Sequence, residues 1–490
     1  MLTDYHRLLS VSRKDVSSGL WLGLIVPALL QKTGHETLTI EFSLSLLNTI
    51  LFLKTNNLSK FLVIPVYLWL GYQYFPDVST VIRPLFTLLF NFCFTCKLMS
   101  LFPFSFTLGE AILFSHLSAV FILTECKFLI PFLMLFVIER YGIIFSVRNA
   151  FLMLSILPVS FGCFWLYFCR TQISKSFIIY QVECIISLTN LILLIFWFCL
   201  FVLCVCITVF YRRSNTNYHS LLQLDFYNSS TLSSEDSHFS DQSDYYKAFD
   251  TNELNNHNST FSLVLGNEMR FRIRKLFHFA AGIVYSSGLL YSPQLLSLAS
   301  AALLVAFWCF EWMRRRGPSD ISSYLGSMVD PFRDKRDSGD ILMTPIALLL
   351  GLSIPLWWPQ GLRSSSSDIT VSIGHLCYEF DVKPTSWSGV LSIAIGDSFA
   401  ALIGKAYGKR RWPGSHRTFV GSFASFLSQV VAWTGLSYYY SWRWYSGIIP
   451  LLFGVLVEAY TEQIDNLVVS LVVMLTFLIS NTVANTGNLF

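Results

Sequence analysis

Asp397 lies inside an apolar run, VLSIAIGDSFAALIG, where an ionised carboxylate is expensive to keep in a membrane and is therefore a functional candidate. Ala400, Ala401 and Gly404 follow at three, four and seven residues, so a helix places small side chains on the face that carries Asp397. Small residues allow a neighbouring helix or a ligand to approach closely. The stretch that comes next, Gly404 to Gly421 (GKAYGKRRWPGSHRTFVG), combines four glycines with Lys405, Lys409, Arg410, Arg411, His416 and Arg417. Glycine lets backbone N–H groups reach phosphate oxygens, and Lys and Arg neutralise them. A flexible cationic loop between two apolar segments thus points to a phosphate-bearing ligand. Lys405, Lys409, Arg411 and Arg417 would grip it, assisted by the backbone at Gly404, Gly408 and Gly414.

Three further motifs carry polar groups beside apolar runs. RKLFH opens one segment, and helical spacing puts Arg274 and His278 on the same face, with Lys275 beside them. RDKRDSGD, which includes Asp337, precedes another. EAYTEQIDN supplies Glu458, Glu462 and Asp465 at i, i+4 and i+7, which share one face if the segment is helical. Acids facing a cationic loop suit a divalent ion shared with a nucleotide, because Mg²⁺ uses one or two carboxylates and completes its shell with phosphate oxygens. Asp397 with Glu458 or Asp465 would form that metal site. His278 and Asp337 are the candidates for general base.

The elements that must hold these groups are membrane helices. Of 490 residues, 53% are hydrophobic and only 13% charged, and the 44 Phe, 22 Tyr and 13 Trp are spread over many apolar blocks. Soluble domains carry about a quarter charged residues. The reading is an all-α polytopic membrane protein with roughly 13–15 spans, judged against ~20 residues per crossing. The net charge of +4 is too small to suggest nucleic acid. The eleven cysteines sit almost entirely in apolar runs and read as small helix fillers. No cleavable signal peptide is expected, since the first sixteen residues are polar and Trp21 to Leu30 is short.

In the first half, candidate spans fall near 17–31, 37–54, 58–76, 81–103, 105–125, 127–146, 150–169 and 186–210. Glu41, Glu110, Glu125 and Glu183 are isolated there and read as helix-end or interhelical hydrogen-bonding groups. Residues 211–270, rich in Ser, Asn, Asp and Tyr, read as a disordered linker between an N-terminal unit (1–210) and a C-terminal catalytic unit (271–490). Counting spans from Arg274 places Arg314–Arg316, Arg333–Arg336 and the loop after Gly404 on one face, which the distribution of positive charge makes cytosolic. The same count gathers the four polar motifs at that surface. A transporter would instead place facing polar groups at mid-membrane.

Residues 270–485 resemble the dolichol kinases, CTP-dependent polyprenol kinases of the endoplasmic reticulum. The resemblance rests on RKLFH, on RDSG followed by ILMTPIALLLGLSIPLW, on GDSFAALIGKAYGKRRWPGSHRTFVGS and on EAYTEQIDN. It implies that Gly404 to Phe419 binds CTP, bringing Trp412, Pro413 and Thr418 into the nucleotide site. It also implies functional weight for Arg274, Lys275, Asp397 and Gly404. The implied reaction is transfer of the γ-phosphate of CTP to dolichol, giving the dolichyl phosphate used in protein N-glycosylation, with a divalent cation. Diacylglycerol and phytol kinases and CDP-lipid synthases share the wider clan and are the alternatives. The chain departs from the family pattern at Val420, where an acidic residue is expected, and at His416, where a Lys is expected.

Overall fold

The computed structural model describes residues 12–13, 17, 19–33, 36–54, 78–123, 187–232, 271–329, 339, 341–358 and 382–486. These residues are helical apart from short connections, and among them the only strand-like pairing is one antiparallel bridge, Arg411 to Thr418. The helices are α1 (Ile25–Lys32), α2 (Glu36–Lys54), α3 (Val78–Leu101), α4 (Leu108–Leu123), α5 (Leu188–Leu232), α6 (271–291), α7 (Pro293–Arg316), α8 (Ser319–Val329), α9 (Met343–Trp357), α10 (Ser398–Tyr407), α11 (Phe419–Tyr439), α12 (Ile448–Tyr460) and α13 (Asp465–Thr486). A π-helical segment, Val390–Asp397, leads directly into α10.

Among the described residues, four stretches are long and apolar enough to cross a bilayer: Leu188–Phe210, Pro293–Arg316, Pro384–Tyr407 and Phe419–Tyr439. Shorter apolar helices pack among them, including Met343–Trp357, Trp444–Tyr460 and Asp465–Ser480. This is an all-α polytopic membrane protein. The spans expected at 58–76, 127–146 and 150–169 lie outside the described residues. Helix α5 continues through Leu232, beyond the apolar stretch and into the segment read from composition as linker. Residues 233–270 lie outside the described residues.

The buried core is continuous from the N-terminal helices to the C-terminal ones. Helix α13 is its hub, packing against α1, α9 and α12 as well as the π-helical segment. Its inner face carries Leu467, Val468, Leu471, Met474 and Phe477, all buried, at the i, i+3, i+4 and i+7 spacing of one helical stripe. Close backbone approach fixes the crossings around it. A Cβ on Gly351 of α9 would sit 2.2 Å from the Asn466 carbonyl oxygen, and one on Gly282 of α6 would sit 2.4 Å from Ala394 Cβ. Small residues at membrane helix crossings maximise van der Waals contact where lipid offers no hydrophobic drive.

Polar side chains of the first half pair across helices as their isolation in apolar sequence suggested. Thr87 Oγ1 donates to Glu41 at 3.4 Å, and Asn91 donates to Ser45 at 3.0 Å. Glu110 pairs with Arg13 at 2.9 Å. Glu125 and Glu183 lie outside the described residues. Helix α11 rises about 30 Å over its 21 residues. Tyr438, Tyr439, Trp444 and Tyr445 are exposed around its far end, with Tyr438 90% exposed. Exposed aromatics of this kind mark a membrane–water interface. The near end carries Arg417 and the polar motifs.

Candidate active site

A cavity of about 150 Å³ opens at that near end, lined by residues from five parts of the chain. Helix α6 contributes Arg274, Lys275 and His278; the start of α9 contributes Thr344; the π–α10 helix contributes Asp397; the basic loop contributes Arg417; and the start of α13 contributes Asp465 and Asn466. The sequence motifs RKLFH, GDSFAALIG, the basic loop and EAYTEQIDN thus converge.

Asp397 is the last residue of the π-helical segment. Such wide turns are rare and favour functional sites, since the extra residue re-aims the side chains beside it. Here the wide turn is wedged tightly: a Cβ on Gly396 would meet Gln429 Nε2 at 2.3 Å and Ser425 Oγ at 2.9 Å on α11. Lys275 Nζ donates to Asp397 Oδ2 at 2.5 Å and lies 3.4 Å from the Asp397 carbonyl oxygen. His278 Nε2 stands 3.8 Å from the same Oδ2. His278 Nδ1 lies 2.7 Å from the Arg274 carbonyl oxygen one turn earlier. A carbonyl only accepts, so Nδ1 carries the proton, and in the neutral ring Nε2 is left as the acceptor nitrogen of a residue that lines the cavity. That is the arrangement a general base requires.

Across the cavity, Arg417 Nη2 donates to Asp465 Oδ2 at 2.6 Å. Asp465 is the first residue of α13, and its Oδ1 accepts from the Asn466 N–H at 3.0 Å. A carboxylate at a helix N-terminus is stabilised by the exposed N–H groups there. Glu458 is buried at the end of α12 and is not among the lining residues; it lies 3.9 Å from Arg417 Nη1 and within 3.5 Å of Ser425 Oγ. Glu458, Glu462 and Asp465 do not share a helical face. Helix α12 stops at Tyr460, Thr461 is extended, and α13 begins only at Asp465, because the chain reverses there between two packed helices. Glu462 turns away to accept from the Ser17 N–H at 3.3 Å.

The basic loop is more ordered than its glycines suggested. Ser415 N donates to the Trp412 carbonyl at 3.1 Å across Pro413 and Gly414, and Gly414 has φ +73°. Pro followed by a left-handed Gly is the signature of a type II turn. Trp412 N donates to Arg417 O and Phe419 N donates to Arg410 O, each at 3.0 Å, closing the turn as a small hairpin. Trp412 stacks on Phe419 with centroids 4.0 Å apart and donates its indole N–H to Ser422 at 3.0 Å. Thr418 caps α11 by accepting from Gly421 N at 3.1 Å.

Two of the glycines serve helix packing. A Cβ on Gly404 would lie 2.9 Å from Thr418 Oγ1 and 3.2 Å from Gly421 Cα, and one on Gly408 would lie 2.2 Å from the Gly404 carbonyl. The Gly408 N–H is already taken by that carbonyl at 2.9 Å. Of the loop cations, Arg417 lines the cavity and Lys405 reaches its rim, with Nζ 4.5 Å above the ring of Phe271. Lys409, Arg410, Arg411 and His416 are exposed. Asp337 lies outside the described residues. Sequence reasoning did not single out Thr344 or Asn466, which complete the polar lining; Thr344 was hidden in an apolar helix start, and Asn466 by its neighbour Asp465.

Among the described residues no three His, Cys, Asp or Glu side chains come together as a metal-holding group. Two carboxylates, Asp397 and Asp465, nevertheless line one cavity, and no described residue donates a hydrogen bond to Asp397 Oδ1. One or two carboxylates are what Mg²⁺ takes from a protein when phosphate supplies the rest of its shell.

Fold and cavity together define a helical integral membrane protein with a compact site of paired cations and carboxylates at one end of its helices. The chain is similar to a dolichol kinase of Mus musculus, 32% identical over 210 residues, which is 41% of this chain and 37% of that relative. It is also similar to a dolichol kinase of Homo sapiens, 31% identical over 209 residues (41% and 37%), and to one of Saccharomyces cerevisiae, 25% identical over 159 residues (32% and 26%). The chain spans little more than a third of the length of the mammalian relatives it matches. No family model matches it, and neither does any solved structure.

Proposed function

We propose that this protein is a CTP-dependent dolichol kinase of the endoplasmic reticulum membrane, with its site facing the cytosol. The observation that carries the reading is the convergence of Lys275, His278, Asp397, Arg417 and Asp465 on one cavity at a membrane helix end, in a chain similar to dolichol kinases. A site there can meet a nucleotide from water and a lipid hydroxyl from the bilayer interface.

Phosphoryl transfer needs positioning and charge neutralisation more than covalent catalysis. The hydroxyl oxygen of dolichol attacks the γ-phosphorus of CTP, the bond from that phosphorus to the β–γ bridging oxygen breaks, and CDP leaves. His278 Nε2 accepts the hydroxyl proton, its ring held by the Nδ1–H bond to the Arg274 carbonyl. Arg417 and Lys275 neutralise phosphate charge, with Arg274 on the same wall and Lys405 at the rim. Lys409 and Arg411, exposed on the hairpin, draw the triphosphate toward the cavity. Asp397 and Asp465 would hold Mg²⁺, which supplies electrostatic stabilisation to the phosphate oxygens.

The test is incubation of the purified protein with γ-labelled CTP and dolichol, with diacylglycerol and phytol offered in parallel. Label in dolichyl phosphate is the expected result. Label only in pyrophosphate would mean attack at the α-phosphorus, as in a CDP-lipid synthase, and label in another lipid would change the acceptor.

A further inference from the structure

The loop that delivers Asp465 to the cavity is held by the N-terminal part of the chain. Between the end of α12 at Tyr460 and the start of α13 at Asp465, four residues run without helical structure. Thr461 N bonds back to the Val457 carbonyl and Gln463 N to Thr461 Oγ1, while other polar groups of the loop are met from far away in sequence. The Ile464 N–H donates to Glu110 Oε1 at 2.9 Å, and Ile464 itself lines the cavity. Gln463, 1% exposed, donates to the Ser17 carbonyl at 3.0 Å and accepts from Thr107 Oγ1 at 2.7 Å. Glu462 accepts from the Ser17 N–H. Glu110 is held in turn: Arg13 donates to its Oε1 at 2.9 Å, and the Thr107 N–H donates to its Oε2 at 2.9 Å. Arg13 N donates to the Phe106 carbonyl at 3.1 Å, closing the frame.

A carboxylate at 1% exposure is costly unless it is paired and hydrogen-bonded, and Glu110 accepts from three donors on three segments. One of those donors is the amide immediately before Asp465. We infer that Glu110, braced by Arg13 and Thr107, is a positioning residue that fixes the Asp465–Arg417 pair in the active cavity. The N-terminal helices are therefore part of the site's architecture as well as a membrane anchor. This inference rests on the kinase reading for its catalytic consequence, but its structural claim can be read without it.

The test uses the full-length protein in detergent, comparing wild type with Glu110→Gln, Thr107→Val and Glu110→Ala. Glu110→Gln keeps the shape but leaves one strong acceptor oxygen where two served. Amide exchange in a peptide covering 461–466 is expected to speed up in Glu110→Gln, while exchange in α11 stays unchanged. Transfer from CTP to dolichol is expected to fall in kcat/KM by about 10- to 100-fold, the scale that displacement of a positioned group produces. In an Asp465→Asn background the same Glu110→Gln change is expected to cost less than about threefold, because coupled sites are non-additive. Unchanged exchange at 461–466, or equal costs in both backgrounds, would overturn the inference. If Glu110→Ala does not fold, Glu110→Gln and Thr107→Val decide. If wild type transfers no phosphate from CTP, the functional proposal fails, and the exchange measurement alone still judges the positioning claim.

Discussion

Two Arg–carboxylate pairs, at opposite ends of the chain, show how one chemistry serves two purposes. Arg13 and Glu110 are 2% and 1% exposed, and Glu110 also accepts from the Thr107 and Ile464 amides. Arg417 and Asp465 are 32% and 16% exposed and face a cavity that also holds Lys275, His278 and Asp397. A dry pair whose carboxylate already accepts three hydrogen bonds can do little except fix geometry, because no ligand can enter. A pair at a cavity wall can exchange its partner for phosphate or metal. Exposure and saturation, rather than residue type, separate the clamp from the site.

The comparison breaks most decisively at Asp397. Asp397→Asn is expected to lower phosphate transfer from CTP by at least about 100-fold, the loss typical of removing one preorganised electrostatic group. Its thermal unfolding in detergent should stay close to wild type; full activity would refute the site. The pairs themselves should respond oppositely. Arg13→Met leaves Glu110 charged, buried and short of one donor, and is expected to cost about 3–5 kcal/mol of stability, read from detergent unfolding curves. Arg417→Met is expected to cost no more than about 1 kcal/mol in the same experiment, since solvent screens the pair. It should instead raise the KM for CTP by about 10-fold or more, with Arg417→Lys recovering only part of the loss because one point charge replaces a planar fork.

Smaller effects sharpen the division within the basic loop. Gly404→Val forces a Cβ against Thr418 and the Gly421 backbone, and is expected to cost about 1–3 kcal/mol by overpacking the α10–α11 crossing. Gly414→Ala meets nothing in space, and only its φ of +73° resists, at about 1 kcal/mol. Lys409→Ala and Arg411→Ala should change kcat/KM by less than about threefold near 0.15 M salt, growing as salt is lowered, because both are exposed and screened. A large loss at high salt would instead mean that the hairpin closes over the nucleotide.

Much of the site was legible because polar residues in apolar sequence have few excuses. Asp397 and His278 stood out by their place inside apolar sequence and Lys275 by the resemblance, and the structure puts both basic groups within 4 Å of Asp397. The glycines misled. Their spacing in a cationic stretch matches a phosphate cradle, yet Gly404 and Gly408 are small because a helix and a threonine lie against them. Glu458, Glu462 and Asp465 also misled, since i, i+4, i+7 spacing implies a shared face only while the helix continues, and here it ends at Tyr460.

Composition and patterning by themselves determined the solvent, the helical class and the few positions where charge is worth its desolvation, because those follow from the free energy of single residues in lipid. Which carboxylate meets which cation was decided only in three dimensions. Arg13 and Glu110 lie 97 residues apart and Arg417 and Asp465 lie 48 apart, so their pairing depends on helix crossings that no local preference encodes. The loop before Asp465 shows the reason most plainly. Thr461 and Gln463 bond their N–H groups locally, but the Ile464 N–H is met by Glu110, 354 residues away, which packing of the N-terminal helices against α13 brings within reach.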